Sequence, residues 1–143
     1  MILRKYIRLI GATCGLVLGT FIVITAIDVN GDLDRVAYIL NIPSAPKSLR
    51  VESCESPNIW TDIVISCSIE LEAHDFTKLL VGYNYTKSNI NGTSYSVIHE
   101  EIGSEFPVIT KYAAYPASFE HGGSVEIFTN REKTRAIIEL YIE

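Results

Sequence analysis

Three histidines and three cysteines in 143 residues leave little material for a metal centre or a redox couple. His74, His99 and His121 are scattered, without the short spacings that bring ligands onto one zinc ion. No metal is therefore expected. No Cys-x-x-Cys occurs, which argues against a dithiol redox catalyst. A Gly-x-Ser-x-Gly elbow is absent, and His121-Gly122-Gly123, though it resembles an esterase oxyanion loop, lacks the partners that chemistry needs. Nor is there a glycine-rich loop to cradle phosphates. Glu70/Glu72 and Glu100-Glu101 are carboxylate pairs in sequence only. The chain reads as a non-enzyme with no cofactor.

Positive charge is also scarce beyond the first eight positions. From Leu49 onward seven Lys/Arg stand against fourteen Asp/Glu, a net of −7, whereas the whole chain is at −5. Nucleic acid and anionic lipid surfaces both attract cations, so neither is an expected partner of this part. The balance suits a basic protein partner, and it also keeps a small domain soluble.

What is present in strength is one apolar run. Leu9 to Ile27 is uncharged over nineteen residues, with Arg4, Lys5 and Arg8 before it and Asp28, Asp32 and Asp34 after it. At about 1.5 Å per residue such a helix spans roughly 28 Å, close to a bilayer's hydrocarbon core. Basic flanks stay cytoplasmic, so the C-terminal part is expected to face outward. A cleaved signal peptide with Ala26 at the cut is the alternative. The run is longer than an ordinary signal h-region, and Ile24 fits the small-residue pattern poorly. Gly11, Gly15 and Gly19 recur every four residues along one helical face, the spacing that lets two membrane helices approach closely as a homodimer.

Beyond the run, Asp32 reads as a helix cap with Leu33, Val36, Ala37 and Leu40 at helical spacing behind it. That stub is expected to lie on the membrane or to dock on the domain. Pro43 and Pro46 end it and form a short stiff linker. Strands are predicted at Leu49–Ser53 and over 63–72, where Ile63, Ile65, Cys67, Ile69 and Leu71 alternate with more polar residues. A short helix capped by Asp75 carries Phe76, Leu79 and Leu80 on one face and stops at Gly82. Further strands are expected at Tyr83–Tyr85, Thr93–Ile98 and Phe106–Tyr112. A hairpin follows, Val125–Phe128 against Arg135–Ile142. Its second strand is apolar on both faces and so belongs in mid-sheet.

Cys54 and Cys67 are the only cysteines outside the run. In an oxidising compartment this pair is expected to form a disulfide. The fold class that follows is mainly β: an antiparallel β domain of six or seven strands with one short helix, preceded by a single transmembrane helix. The expected boundaries are a cytoplasmic tip (1–8), the membrane helix (9–27), a juxtamembrane helix and proline linker (28–47), and an extracytoplasmic domain (48–143). The loop after Tyr112 is the expected partner-binding site. Tyr112, Tyr115 and Phe119 would serve as aromatic anchors, with Glu120 and His121 beside them.

In size, orientation and charge the chain resembles the small membrane-anchored periplasmic immunity proteins that bacteria keep against secreted antibacterial effectors. The resemblance rests on layout and not on a motif. It implies a periplasmic domain, tethered to the inner membrane, that binds and neutralises a basic effector. The alternative is a bitopic structural subunit of an envelope complex, assembled through the glycine face.

Overall fold

The computed structural model describes residues 31–56, 62–90 and 106–143. The run Leu9–Ile27 with Gly11, Gly15 and Gly19, the strand expected at Thr93–Ile98, and His99 all lie outside the described residues. Among the described residues no helix is long and apolar enough to cross a membrane.

The described strands are β1 (Arg50–Glu55), β2 (Ile63–Glu70), β3 (Thr86–Asn89), β4 (Thr110–Ala114), β5 (Gly123–Thr129) and β6 (Arg135–Ile142). They form one open antiparallel sheet in the order β1-β2-β6-β5-β4-β3. β6 lies centrally because both its faces are apolar. Ala136, Ile138 and Leu140 join the main core, while Ile137 joins a second cluster with Phe106, Val108 and Phe128. In β2 Cys67 and Ile69 enter the main core and Ile65 packs partly against it. Val64, Ser66 and Ser68 on the other face are buried as well and Ile63 is exposed, so β2 does not present the solvated face that its alternation implies. Cys54 faces Cys67 in register, their Cα atoms are 4.1 Å apart, and the two are joined by a disulfide.

The segment before the sheet is built into the domain. The compact unit covers Asp32–Glu143, and Val36 and Ile39 of the helix over 31–39, with Leu40 just after it, are fully buried in the main core. Residue 31 is already helical, so Asp32 is not the cap; it pairs with Arg35 at 3.6 Å. At the other end the Ile42 N–H donates to Ala37 O and the Asn41 N–H to Tyr38 O, with Asn41 at φ +52°. This is a Schellman ending in which asparagine takes the left-handed position usually given to glycine.

The short helix is a 3-10 helix over Ala73–Leu80, which sets Phe76 and Leu79 one above the other on the core side. Asp75 is not the cap. Glu72 occupies the N-cap position without a capping hydrogen bond, and Asp75 lies inside the helix. Its carboxylate accepts from Ser48 Oγ at 2.6 Å and lies 2.6 Å from Lys78 Nζ. Gly82 ends the helix by close packing, since a Cβ there would overlap the carbonyl oxygens of Leu40 and Asn41. Tyr83–Tyr85 is therefore not a strand. The two rings meet edge to face at 6.1 Å and pack against the core before β3 begins at Thr86.

Candidate protein-binding surface

The loop expected after Tyr112 is present but starts later, at Tyr115. β4 runs through Tyr112 to Ala114 in register with β5, and the Tyr112 ring is 6% exposed, 5.4 Å from the Phe76 ring. Tyr112 is a core residue. The loop proper is Tyr115 to His121, closed by backbone bonds from Phe119 N–H to Pro116 O and from Gly122 N–H to Phe119 O, each 3.1 Å. Gly122 and Gly123 have φ of +108° and +141°, backbone that side chains rarely adopt. A Cβ on Gly123 would also overlap Tyr141 O and crowd the Phe119 ring. Thus His121-Gly122-Gly123 is a turn that brings the chain back to β5.

Within this loop Tyr115 is 72% exposed, and Glu120 and His121 are exposed as well. Phe119 is half-buried and turns inward. It forms one wall of a groove of about 200 Å³, shared with Tyr38 and Asn41 of the helix end, Tyr83, and Leu140 and Ile142 of β6. Sequence reasoning missed this groove, although one signal was available. Tyr38 falls off the apolar stripe of its helix, and a lone aromatic on the solvent side is 73% exposed. Asn41 holds the opposite lip in place by donating from Nδ2 to Gly82 O at 3.2 Å.

Asp34 stands one helical turn before Tyr38 on the same face of the helix, whereas Glu143 lies with Tyr141 on the face of the sheet opposite Leu140 and Ile142. The Tyr141 hydroxyl lies 3.3 Å from Glu143 Oε1 and 3.4 Å from Asp62 Oδ2, with a single proton to give. Desolvation and then the two carboxylate charges raise its pKa above the usual tyrosine value. Nearby, burial pushes the Tyr85 hydroxyl up as well, with the Tyr83 hydroxyl adding to it.

A second cavity, about 510 Å³ and polar, lies at the other end of β6 between Lys47, Arg50, Glu70 and Arg135. Its charges are matched to one another. Glu70 faces Arg50 on one side and Arg135 on the other in register, and Arg135 Nε is 3.2 Å from Glu70 Oε1. Arg135 also reaches Glu52 at 3.3 Å and lies 5.2 Å from the centre of the Phe106 ring. These groups tie three strands together at their ends.

The described histidines are not united: His74 sits beside Glu72 and Asp75 on the 3-10 helix, and His121 lies in the loop. Among the described residues no group of three His, Cys, Asp or Glu is placed to hold a metal ion. Glu126 and Glu139 face one another in register on β5 and β6, and Lys111 Nζ lies 2.7 Å from Glu126 Oε2. With this geometry in hand, comparison of the chain with family models, with curated proteins and with solved structures gave no match.

Proposed function

We propose that the chain is a membrane-tethered protein-binding module whose outward domain captures a basic protein, in the manner of a periplasmic immunity protein that neutralises an effector. The observation that carries this reading is Tyr115. A large aromatic side chain stands exposed on a loop that backbone bonds hold in shape, in a domain whose net charge is strongly negative. Aromatic side chains that lose little entropy on docking dominate protein interfaces. Carboxylates around them speed the encounter with a cationic partner and discriminate against acidic ones. The tether rests on the run Leu9–Ile27 and its charged flanks.

The test is in-cell crosslinking followed by purification of the full chain from envelope extracts. The reading expects one basic protein, with recovery reduced at least tenfold by Tyr115→Ala. Recovery of envelope-assembly components alone, insensitive to Tyr115→Ala but lost on Gly15→Ile, would instead favour a bitopic structural subunit.

A further inference from the structure

The groove behind Phe119 has no part in the protein-capture reading, since Tyr115 does not line it. Three aromatic side chains wall it: Tyr38, Tyr83 and Phe119. The remaining walls are aliphatic apart from Asn41, whose amide nitrogen is engaged with Gly82 O. No lysine, arginine or carboxylate is among them. Burial, and after it the Tyr38 hydroxyl, raises the pKa of the Tyr83 hydroxyl above its usual value, so the two phenol oxygens lie within electrostatic reach of one another.

Three features make this space attractive to positive charge. Aromatic faces carry negative potential, and a cation within about 6 Å of a ring centre is held by it. The groove also lies at the C-terminal end of the helix over 31–39, with Tyr38 and Ile39 in its last turn and Asn41 as its left-handed ending. That end is the negative pole of the helix dipole. Asp34 adds a full negative charge one turn before Tyr38, at a distance of about 5–6 Å between β-carbons. It has no ion-pair partner among the described residues, whereas Arg35 is held by Asp32 at 3.6 Å.

The walls also select the kind of cation. A lysine ammonium or a metal ion is strongly hydrated, and it would leave water for walls that offer it no carboxylate. A quaternary ammonium group has no N–H to satisfy and spreads its charge over methyl groups, which suit Leu140 and Ile142 as well as the rings. A space of about 200 Å³, below the roughly 300–1,000 Å³ of drug-sized sites, admits one such group.

We propose that the groove between Tyr38, Tyr83 and Phe119 is an aromatic cage for a trimethylammonium group of the choline type. Two sources present that chemistry: the head group of a choline lipid, within reach of a membrane-tethered domain, and free choline. The assignment goes beyond the protein-capture reading and does not depend on it.

The test uses the full chain in maltoside micelles, which contain no choline, labelled with fluorotyrosine. The fluorine resonance of Tyr83, assigned through Tyr83→Phe, is followed during titration with choline and with the uncharged alcohol in which a carbon atom replaces its nitrogen. Choline should move the resonance saturably, with a Kd about tenfold below that of the alcohol, the size expected of a cation shared by two or three part-exposed rings. Tyr38→Leu, a change at an exposed site that keeps an apolar wall, should remove most of this preference. It should leave the alcohol's Kd and the melting temperature unchanged. Equal Kd values for choline and the alcohol would overturn the proposal, as would a failure of choline to saturate or a preference that survives Tyr38→Leu intact. A resonance that moves as far with maltoside or protein concentration alone would mean that an alkyl chain or a second copy fills the groove, which also overturns it. Reconstitution into vesicles separates the two sources. With the lipid head group as occupant, Tyr83 in phosphatidylcholine vesicles already sits at its choline-bound position, and in phosphatidylglycerol vesicles it moves only when choline is added. With free choline as occupant, it responds to added choline in both.

Discussion

Gly82 packs its bare Cα against the carbonyl oxygens of Leu40 and Asn41, so the bend after the 3-10 helix and the end of the helix over 31–39 are one joint. A methyl group at this position has nowhere to go, because backbone and not a flexible side chain stands in its way. Gly82→Ala should therefore destabilise the domain by about 1–3 kcal/mol or more, as overpacking does. Gly31→Ala provides the contrast: nothing lies within 4 Å of a Cβ there, and the change should be neutral or mildly stabilising. Denaturant midpoints of the two variants give the comparison.

The disulfide staples the edge strand β1 to β2 at directly facing positions. With the cysteines 13 residues apart, the chain-entropy model assigns the bridge about 3 kcal/mol, near its 15-residue case. The double variant Cys54→Ala, Cys67→Ala should lose about that much. Amide exchange should quicken first in β1, which has no neighbour on its other side among the described strands. Unchanged exchange in β1 would mean that the bridge is not what holds this edge.

Asp75 supplies a pH signature. The hydrogen bond from Lys78, and after it the one from Ser48, lower its pKa from 3.8 to about 2. A carboxylate depressed in the folded state contributes its stability in full above the unfolded value of about 3.9. That contribution fades as the pH falls from about 4 towards 2. The difference in stability between the natural chain and Asp75→Asn should accordingly be constant above about pH 5 and shrink through that window. A difference that grew on acidification would contradict the assignment.

Tyr112 and Tyr115 are three residues apart and should behave as opposites. Tyr112→Ala removes a buried ring tilted against Phe76 and should cost about 3–5 kcal/mol, the usual range for losing a large aromatic from a core. Tyr115→Ala should leave stability within about 0.5 kcal/mol, as exposed substitutions do. Thermal melts separate the two, and a destabilised Tyr115→Ala would remove that side chain from the binding surface.

The contrast between these tyrosines also shows how far the chain could be read from its letters. The period of two in β2 and the two-sided apolar pattern of β6 are local signals, and the strands stand where those signals put them. So does the disulfide, since two cysteines outside the apolar run leave a single pairing. Tyr112 misled because a strand's end is set by its register with β5, and register is a property of two segments. Asp75 misled for a similar reason, since its partner Ser48 is 27 residues away and out of reach of any capping rule. The helix over 31–39 could be placed from its stripe, but whether the stripe docks on lipid or on the sheet depends on the sheet. Its ending used Asn41 where glycine is the usual mark. The groove was least legible. Tyr38, Tyr83, Phe119 and Ile142 come from four separate segments and meet only when the helix and loops pack on the sheet.

The central claim is that the exposed face around Tyr115 meets a basic protein outside the membrane. A photo-crosslinking amino acid placed at position 115 in intact cells tests it most directly, with position 87 on β3, the exposed last strand of the described sheet, as the comparison. The account predicts one discrete adduct from position 115, with a partner of high isoelectric point, and none from position 87. Equal adducts from both positions, or none from either, would contradict it.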